Sequence, residues 1–265
     1  IVLIDTEEYL ISLEKIEPLP PVVIEVHTSI KTNLEYLTRI PEALNSEFLT
    51  VSEYMREEVR DRVGSSSRLG VVGNIIDTDK FYFTPFEEDE DSNQAPPIIW
   101  VGKIDDHKNW RLAVDISSKV QENGLNHEFW IVGGHTAPPS RVEELFDYIE
   151  EKGVLDRFKW YDKISHSDIP DLIREVRNRG GVGLVTSRGE SFGMSIMESL
   201  LVGLPVICSN TGAISELCEE AKYMPLYEID NPNIAADEIM GILGGWIKNS
   251  KYKKLVESET KKLSS

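Results

Sequence analysis

Past residue 97 the chain alternates short apolar runs with stretches whose apolar residues recur every three or four positions. The runs are Ile98-Ile99-Trp100-Val101, Phe129-Trp130-Ile131-Val132, Phe158–Tyr161, Val182–Thr186 and Pro205–Ser209. Between them, Leu112, Ala113, Ile116 and Val120 share one helical face, as do Val142, Leu145, Phe146 and Ile149, and then Ile169, Leu172, Ile173 and Val176. A further helix is predicted over Phe192–Val202, and Ile239, Ile242, Leu243, Trp246 and Ile247 line a late one. Runs of four or five apolar residues suit strands covered on both faces, and the longer period suits helices packed against them. Strand–helix alternation of this kind predicts an α/β protein: a parallel sheet with helices on both faces, joined by right-handed crossovers.

Residues 1–83 carry a sparser version of the pattern. Strands are predicted at Ile1–Ile4, Val22–Val26, Phe48–Val51 and Gly70–Gly73, and helices at Leu34–Ile40 and Glu53–Val63. That suits the latter part of a doubly wound domain. The expected organisation is a partial domain over 1–83, a linker over 84–97, a complete doubly wound domain over 98–249 and a tail over 250–265. The linker reads Glu87-Glu88-Asp89-Glu90-Asp91 followed by polar residues and Pro96-Pro97, which repel, bury nothing and block helix. It lacks the alternating ligands and turn glycine of a calcium loop. Because the chain begins at Ile1 inside a predicted strand, an earlier segment or a partner chain is expected to complete the first domain.

Composition changes the picture in three ways. Hydrophobic residues are 40% and charged residues 28% of 265, which permits a sizeable core. The net charge of −18 argues against a nucleic-acid phosphate-backbone binder and disfavours an anionic membrane surface. Residues 1–96 hold 8 basic and 20 acidic side chains while residues 97–265 hold 20 and 26, so an anionic ligand is better accommodated in the second part. Two cysteines, Cys208 and Cys218, exclude a disulfide framework and a four-thiolate zinc site. A reducing compartment fits, so the expected location is the cytoplasm, with peripheral attachment to the inner face of a membrane left open. No apolar run reaches transmembrane length.

Ligands of parallel sheets sit at the carboxyl ends of the strands. Four loops there carry chemistry. Ser187-Arg188-Gly189-Glu190-Ser191-Phe192-Gly193-Met194-Ser195 turns through two glycines and opens a helix that carries Glu198. The free amides of a helix start suit a phosphate, and carboxylates beside them suit sugar or ribose hydroxyls. Gly102-Lys103-Ile104-Asp105-Asp106-His107-Lys108 places two ammonium groups around another helix start, enough to neutralise a diphosphate. Gly133-Gly134-His135 permits backbone approach but is not a dinucleotide fingerprint, which disfavours a dehydrogenase. Val26-His27-Thr28-Ser29 puts a histidine at a strand end of the first part. Each loop taken singly also fits a helix cap or a solvated surface.

Taken together, these loops resemble the retaining glycosyltransferases of family 4, which have the two-domain GT-B fold. Glu190–Glu198 matches the Glu-x7-Glu motif, set in Gly189–Met194 and followed by Gly203-Leu204-Pro205-Val206-Ile207. Val101-Gly102-Lys103 with Lys108 is similar to the family's Gly-Arg…Lys segment, with Lys103 where arginine is commoner. Val51-Ser52, Asn74-Ile75-Ile76-Asp77 with Phe81, and Gly212-Ala213 with Glu216 resemble further segments. The resemblance implies a complete C-terminal nucleotide-sugar domain and a partial Rossmann-like, acceptor-side N-terminal domain. It implies that Gly102, Lys103, Lys108, Gly133, Gly134 and the amides from Ser191 and Phe192 through Gly193, Met194 and Ser195 hold the donor. By the same resemblance Glu190 contacts donor sugar hydroxyls, Glu198 the ribose, and the backbone at Lys163-Ile164 the base. His27 corresponds to the histidine near the reacting centre, grouped with Glu190, Lys103 and Lys108 as catalytic.

The implied reaction moves a hexose from a UDP- or GDP-sugar to an acceptor hydroxyl of a glycan, lipid or protein, with retention. The implied donor is a substrate, and no cofactor or metal is called for. Asp77-Thr78-Asp79 and Asp89-Glu90-Asp91 have Asp-x-Asp spacing but lie outside the donor loops, and are read as solvated. The family's glycine-rich first loop is not found in this sequence, so acceptor-binding elements lie out of view. Two other readings stand beside this one: a non-catalytic donor-binding fragment or subunit, and a sugar-nucleotide epimerase.

Overall fold

The computed structural model describes residues 1–263 apart from residues 7, 9, 14, 42, 43, 87–93, 221, 222 and 246–249. The acidic run 87–91 with its second Asp-x-Asp, Trp246 and Ile247, and residues 264–265 of the expected tail therefore lie outside the described residues. The chain forms two compact units. One comprises Ile1–Ile75 with Gly189–Gly193, the other Ile76–Arg188 with Met194–Ser265.

The first unit is a four-stranded parallel sheet in the order β1 (Val2–Ile4), β2 (Val23–Val26), β3 (Glu47–Thr50), β4 (Leu69–Val71). The register pairs Leu3 with Ile24 and Ile24 with Phe48, so these side chains share one face. Leu13 of the short helix α1 (Leu10–Leu13), Leu34 and Leu37 of a 3-10 segment (Lys31–Arg39), and Met55 and Val59 of α2 (Glu53–Val63) join them in one core. Ser52 starts α2: its hydroxyl accepts from the Met55 amide at 3.2 Å, an N-cap of the usual kind. The segment expected as a helix at Leu34–Ile40 is this 3-10 stretch instead.

The second unit is a six-stranded parallel sheet: β5 (Pro97–Val101), β6 (Glu128–Val132), β7 (Phe158–Tyr161), β8 (Val182–Val185), β9 (Val206–Ser209) and β10 (Leu226–Tyr227). Its order is β10-β9-β8-β5-β6-β7, the doubly wound arrangement whose direction of build reverses between β5 and β8. Strand alternation feeds two cores. Ile98 and Trp100 pack with α3 (Trp110–Glu122), α4 (Pro139–Glu151) and α8 (Pro232–Gly245). Ile99 packs on the other face with α5 (Ile169–Asn178) and α6 (Met194–Val202).

Two boundaries differ from expectation. The first unit ends at Ile75, not at residue 83, because Ile76 and Phe81 pack with Leu172, Leu201 and Leu204 of the second. Most of the expected tail is a helix, α9 (Ser250–Leu263), preceded in the chain by α7 (Ile214–Glu220) and α8. Val256 is fully buried in the core that holds Ile196 and Leu200 of α6, and Thr260 donates to the Leu200 carbonyl at 3.2 Å.

Candidate functional site

The carboxyl ends of β5 and β8 lie side by side where the strand order reverses, which is where an open α/β sheet forms a crevice. The loop after β5 holds Gly102, Lys103 and Lys108, and the loop after β8 begins at Thr186. Asp105 shapes the first loop. Its carboxylate accepts from the Lys108 amide at 2.8 Å, and its carbonyl accepts from the Asn109 amide at 3.1 Å. Asn109 takes a left-handed conformation (φ 55) immediately before α3. The turn leaves Lys103 exposed and Lys108 half-buried near the start of that helix.

The two loops are hydrogen-bonded to each other. The fully buried Thr186 hydroxyl accepts from the Trp100 indole at 2.9 Å and faces the Lys108 and Asn109 carbonyls at 2.8 and 3.0 Å. The Arg188 amide donates to the His107 carbonyl at 2.8 Å, and its guanidinium to the Asp106 carbonyl at 3.1 Å. The loop after β9 adds to the brace, because Ser209 and Thr211 hydroxyls donate to the Ser187 carbonyl at 2.8 and 2.9 Å. Sequence reasoning named the lysines but missed Asp105, Thr186 and Arg188. A threonine at a strand end carries no signal of its partner 86 residues away.

Gly133 and Gly134 lie after β6 and have φ of 129 and 110, in the region that favours glycine. A Cβ on Gly133 would collide with the Gly102 carbonyl oxygen, and one on Gly134 would meet Ile104 Cδ1 at 2.5 Å. Close packing of two neighbouring loops therefore requires these glycines. His135 is exposed, and its amide donates to the Asp162 carbonyl at 3.1 Å.

Gly193 (φ 91) ends the β8 loop and α6 begins at Met194, which is exposed, with Ser195 half-buried behind it. One turn on, the Glu198 side chain is 14% exposed and its carboxylate lies 3.6 Å from His166 Nε2. Burial pushes its pKa above the ordinary carboxylate range, against the opposing pull of His166. His166 belongs to the loop after β7, which also carries the exposed Lys163 and the half-buried Ile164. Ile164 packs into the Phe81–Leu172 core, and the His166 ring meets Phe81 edge-on at 5.5 Å. Lys103, Lys108, Glu198, Lys163 and Ile164 thus all sit at the carboxyl edge of the second unit's sheet.

Glu190, Ser191 and Phe192 cluster with the first unit. The Ser52 hydroxyl donates to the Ser191 carbonyl at 2.6 Å, and Phe192 packs against the first unit's core. Glu190 is half-buried. His27 follows β2. Its amide donates to the Asp5 carboxylate at 2.9 Å, and its Nε2 is 3.3 Å from Glu25. It borders a groove of about 280 Å³ with Thr50, Gly73 and Asn74. Asp77 is half-buried and bonded to Lys80 at 2.6 Å, which, with help from the Asp79 amide, holds its pKa below the ordinary range. Among the described residues, no cluster of three or more His, Cys, Asp or Glu side chains is arranged to hold a metal ion. No helix is long and apolar enough to cross a membrane among those residues.

Residues 84–261 match the family model described as "Glycosyl transferases group 1". The 2-deoxystreptamine glucosyltransferase of Streptomyces kanamyceticus is 26% identical over 175 residues, 63% of this chain and 43% of that protein. A probable sucrose-phosphate synthase of Thermosipho melanesiensis is 26% identical over 169 residues, 63% of this chain and 36% of that one. The chain therefore spans under half the length of these curated relatives. Among solved structures, Anabaena Alr3699/HepE in complex with UDP and glucose superposes with a TM-score of 0.73 at 19% identity, over 92% of this chain and 67% of that one. Sucrose-phosphate synthase from Thermosynechococcus elongatus superposes with a TM-score of 0.72 at 19% identity, over 91% and 63%. Likeness at this identity establishes the fold, that of the two-domain GT-B enzymes.

Proposed function

Because the chain belongs to the group 1 glycosyl transferases, we propose that it binds a nucleoside-diphosphate hexose and, within its whole protein, transfers the hexose to an acceptor hydroxyl with retention. The observation that carries this reading is the braced pair of loops at the β5–β8 reversal, which holds Lys108 in a fixed turn beside a helix start. A diphosphate leaving group gains charge in the transition state. Ammonium groups and helix amides held in place beforehand stabilise that charge without a metal ion. In this reading Lys103 and Lys108 grip the diphosphate, with the amides of Phe192 to Ser195 and the backbone at Gly133-Gly134 beside it. Glu198 accepts from the ribose hydroxyls, Lys163-Ile164 meet the base, and Glu190 meets the hexose. His27 serves the reacting centre. UDP is the first donor base to test, since Alr3699/HepE is described in complex with UDP and with UDP-glucose.

The test is nucleotide affinity by calorimetry. Lys108→Ala and Glu198→Ala should each weaken UDP or UDP-sugar binding by about tenfold or more, the cost of a lost hydrogen bond to a charged group. Unchanged affinity in both variants defeats the assignment.

A second reading, a donor-binding part that needs further chain for transfer, is favoured by the first unit. Its described helices all pack on one face of the sheet, while Val2 and Ile4 on the other are each 57% exposed. All-parallel sheets are normally covered on both faces. Nucleotide binding by this chain without turnover supports that reading, and transfer by the chain alone defeats it.

A further inference from the structure

Glu198 is a carboxylate in an awkward place. Its side chain is 14% exposed, and a buried charge is costly unless it is well paired. Among the described residues the side chain that faces it is His166, at 3.6 Å, beyond good hydrogen-bond length. The carboxylate therefore keeps acceptor capacity while being partly shielded from water. Hydroxyl donors from a ligand would complete it.

His166 is placed with more care than a surface histidine needs. Ile164, two residues earlier, is anchored in the core. Directly after it the chain forms a compact turn: the Asp168 and Ile169 amides both donate to the Ser165 carbonyl, at 2.9 and 3.2 Å, and the Ser165 and Ser167 hydroxyls are 2.6 Å apart. The ring is backed edge-on by Phe81, itself 1% exposed. Yet the His166 side chain remains 63% exposed, so a ligand could approach beside it. A ring fixed by its neighbours and facing a half-buried carboxylate is suited to setting how that carboxylate points.

We propose that His166 is the positioning residue for Glu198, holding its carboxylate in the orientation that accepts hydrogen bonds from the ribose hydroxyls of a nucleoside diphosphate. This rests on the donor-site reading of Glu198 given above and extends it to a residue on another loop. The pair then makes the site selective for ribose over deoxyribose, with His166 acting through Glu198 and not through a contact of its own. Burial of the Glu198 carboxyl favours its neutral form, and the nearby imidazole opposes that, which preserves the acceptor.

The experiment measures binding of UDP, 2′-deoxy-UDP and 3′-deoxy-UDP, and of the guanosine equivalents, to the unaltered chain and to His166→Ala, His166→Arg, Glu198→Gln and the His166→Ala/Glu198→Gln pair. The unaltered chain should prefer the ribose form by about tenfold, as loss of one hydrogen bond to a charged group requires. His166→Ala should cut that preference severalfold, and His166→Arg, which keeps an N–H donor at the position, should restore part of it. In the background of Glu198→Gln, His166→Ala should change nothing further, because coupled residues are not additive. His166 is mostly exposed, so melting temperatures should stay close to that of the unaltered chain. A ribose preference unchanged in His166→Ala while Glu198→Gln abolishes it overturns this proposal and leaves the donor-site reading standing. Failure of the unaltered chain to bind any of the nucleotides overturns both.

Discussion

The Thr186 hydroxyl sits between the Trp100 indole and the carbonyls of Lys108 and Asn109. Replacing it with valine keeps the shape but orphans a buried indole N–H. Thr186→Val should therefore cost about 1–3 kcal/mol of stability, read by urea unfolding. It should also weaken nucleotide binding, since the Lys108 turn loses its anchor. Thr186→Ser should restore most of both. Binding as tight in the valine variant as in the unaltered chain would show that the turn is held by Asp105 alone. Thr186 also shows where sequence stops being informative. Glu190, Glu198, Lys103 and Lys108 could be singled out as candidates because spacing within one loop or one helix turn is written along the chain. Thr186 and His166 could not, since the side chains they face are brought near only by the fold. Gly133-Gly134 was legible as a special turn, but its immediate cause, the Gly102 carbonyl packed against it, was not.

At the scale of elements, the strands past residue 97 were readable because each is a continuous apolar run that fills two cores at once. β10 and α7 were not, being two and seven residues long, too short for a period to show. The 3-10 segment Lys31–Arg39 buries Leu34 and Leu37, a spacing that α and 3-10 geometry share, so the pattern could not separate them. Charge clusters that pin elements together were equally hidden. On β6, burial would raise the Glu128 pKa, but Arg179 at 2.9 Å, Lys159 at 2.9 Å and the Trp130 indole at 2.7 Å hold it down to about 2. Arg179 follows α5 and Lys159 lies on β7, so three elements meet at one carboxylate. A folded-state pKa below the unfolded value stabilises the fold above about pH 4.5, and this stabilisation is lost as pH falls from there towards 2. After allowance for solvent screening the loss is about 1–2 kcal/mol. Urea unfolding between pH 6 and pH 2.5 should show it, and Glu128→Gln should flatten that part of the profile. A profile of unchanged steepness in Glu128→Gln would assign the acid sensitivity to other carboxylates.

For the whole molecule, the decisive fact is that each unit owns a core: Ile24, Leu34 and Met55 in the first, and Trp100, Ile116 and Ile239 with their neighbours in the second. The pattern along the chain puts a boundary at residue 83, eight residues past the end of the first unit, because Phe81 looks the same whichever core receives it. Two cores need not unfold together, so a calorimetric scan should resolve two transitions. Ile24→Val removes one buried methylene from the first unit and should cost about 0.5–1.5 kcal/mol, lowering one transition by several degrees and sparing the other. UDP at about 100 times its dissociation constant adds about 2.7 kcal/mol to the state that binds it. Lys103, Lys108 and Glu198 all belong to the second unit, so that increment should raise the transition that Ile24→Val leaves alone. If the nucleotide instead raises the transition lowered by Ile24→Val, then the Glu190–Gly193 segment, which clusters with the first unit, contributes more of the binding energy than the lysine loop does.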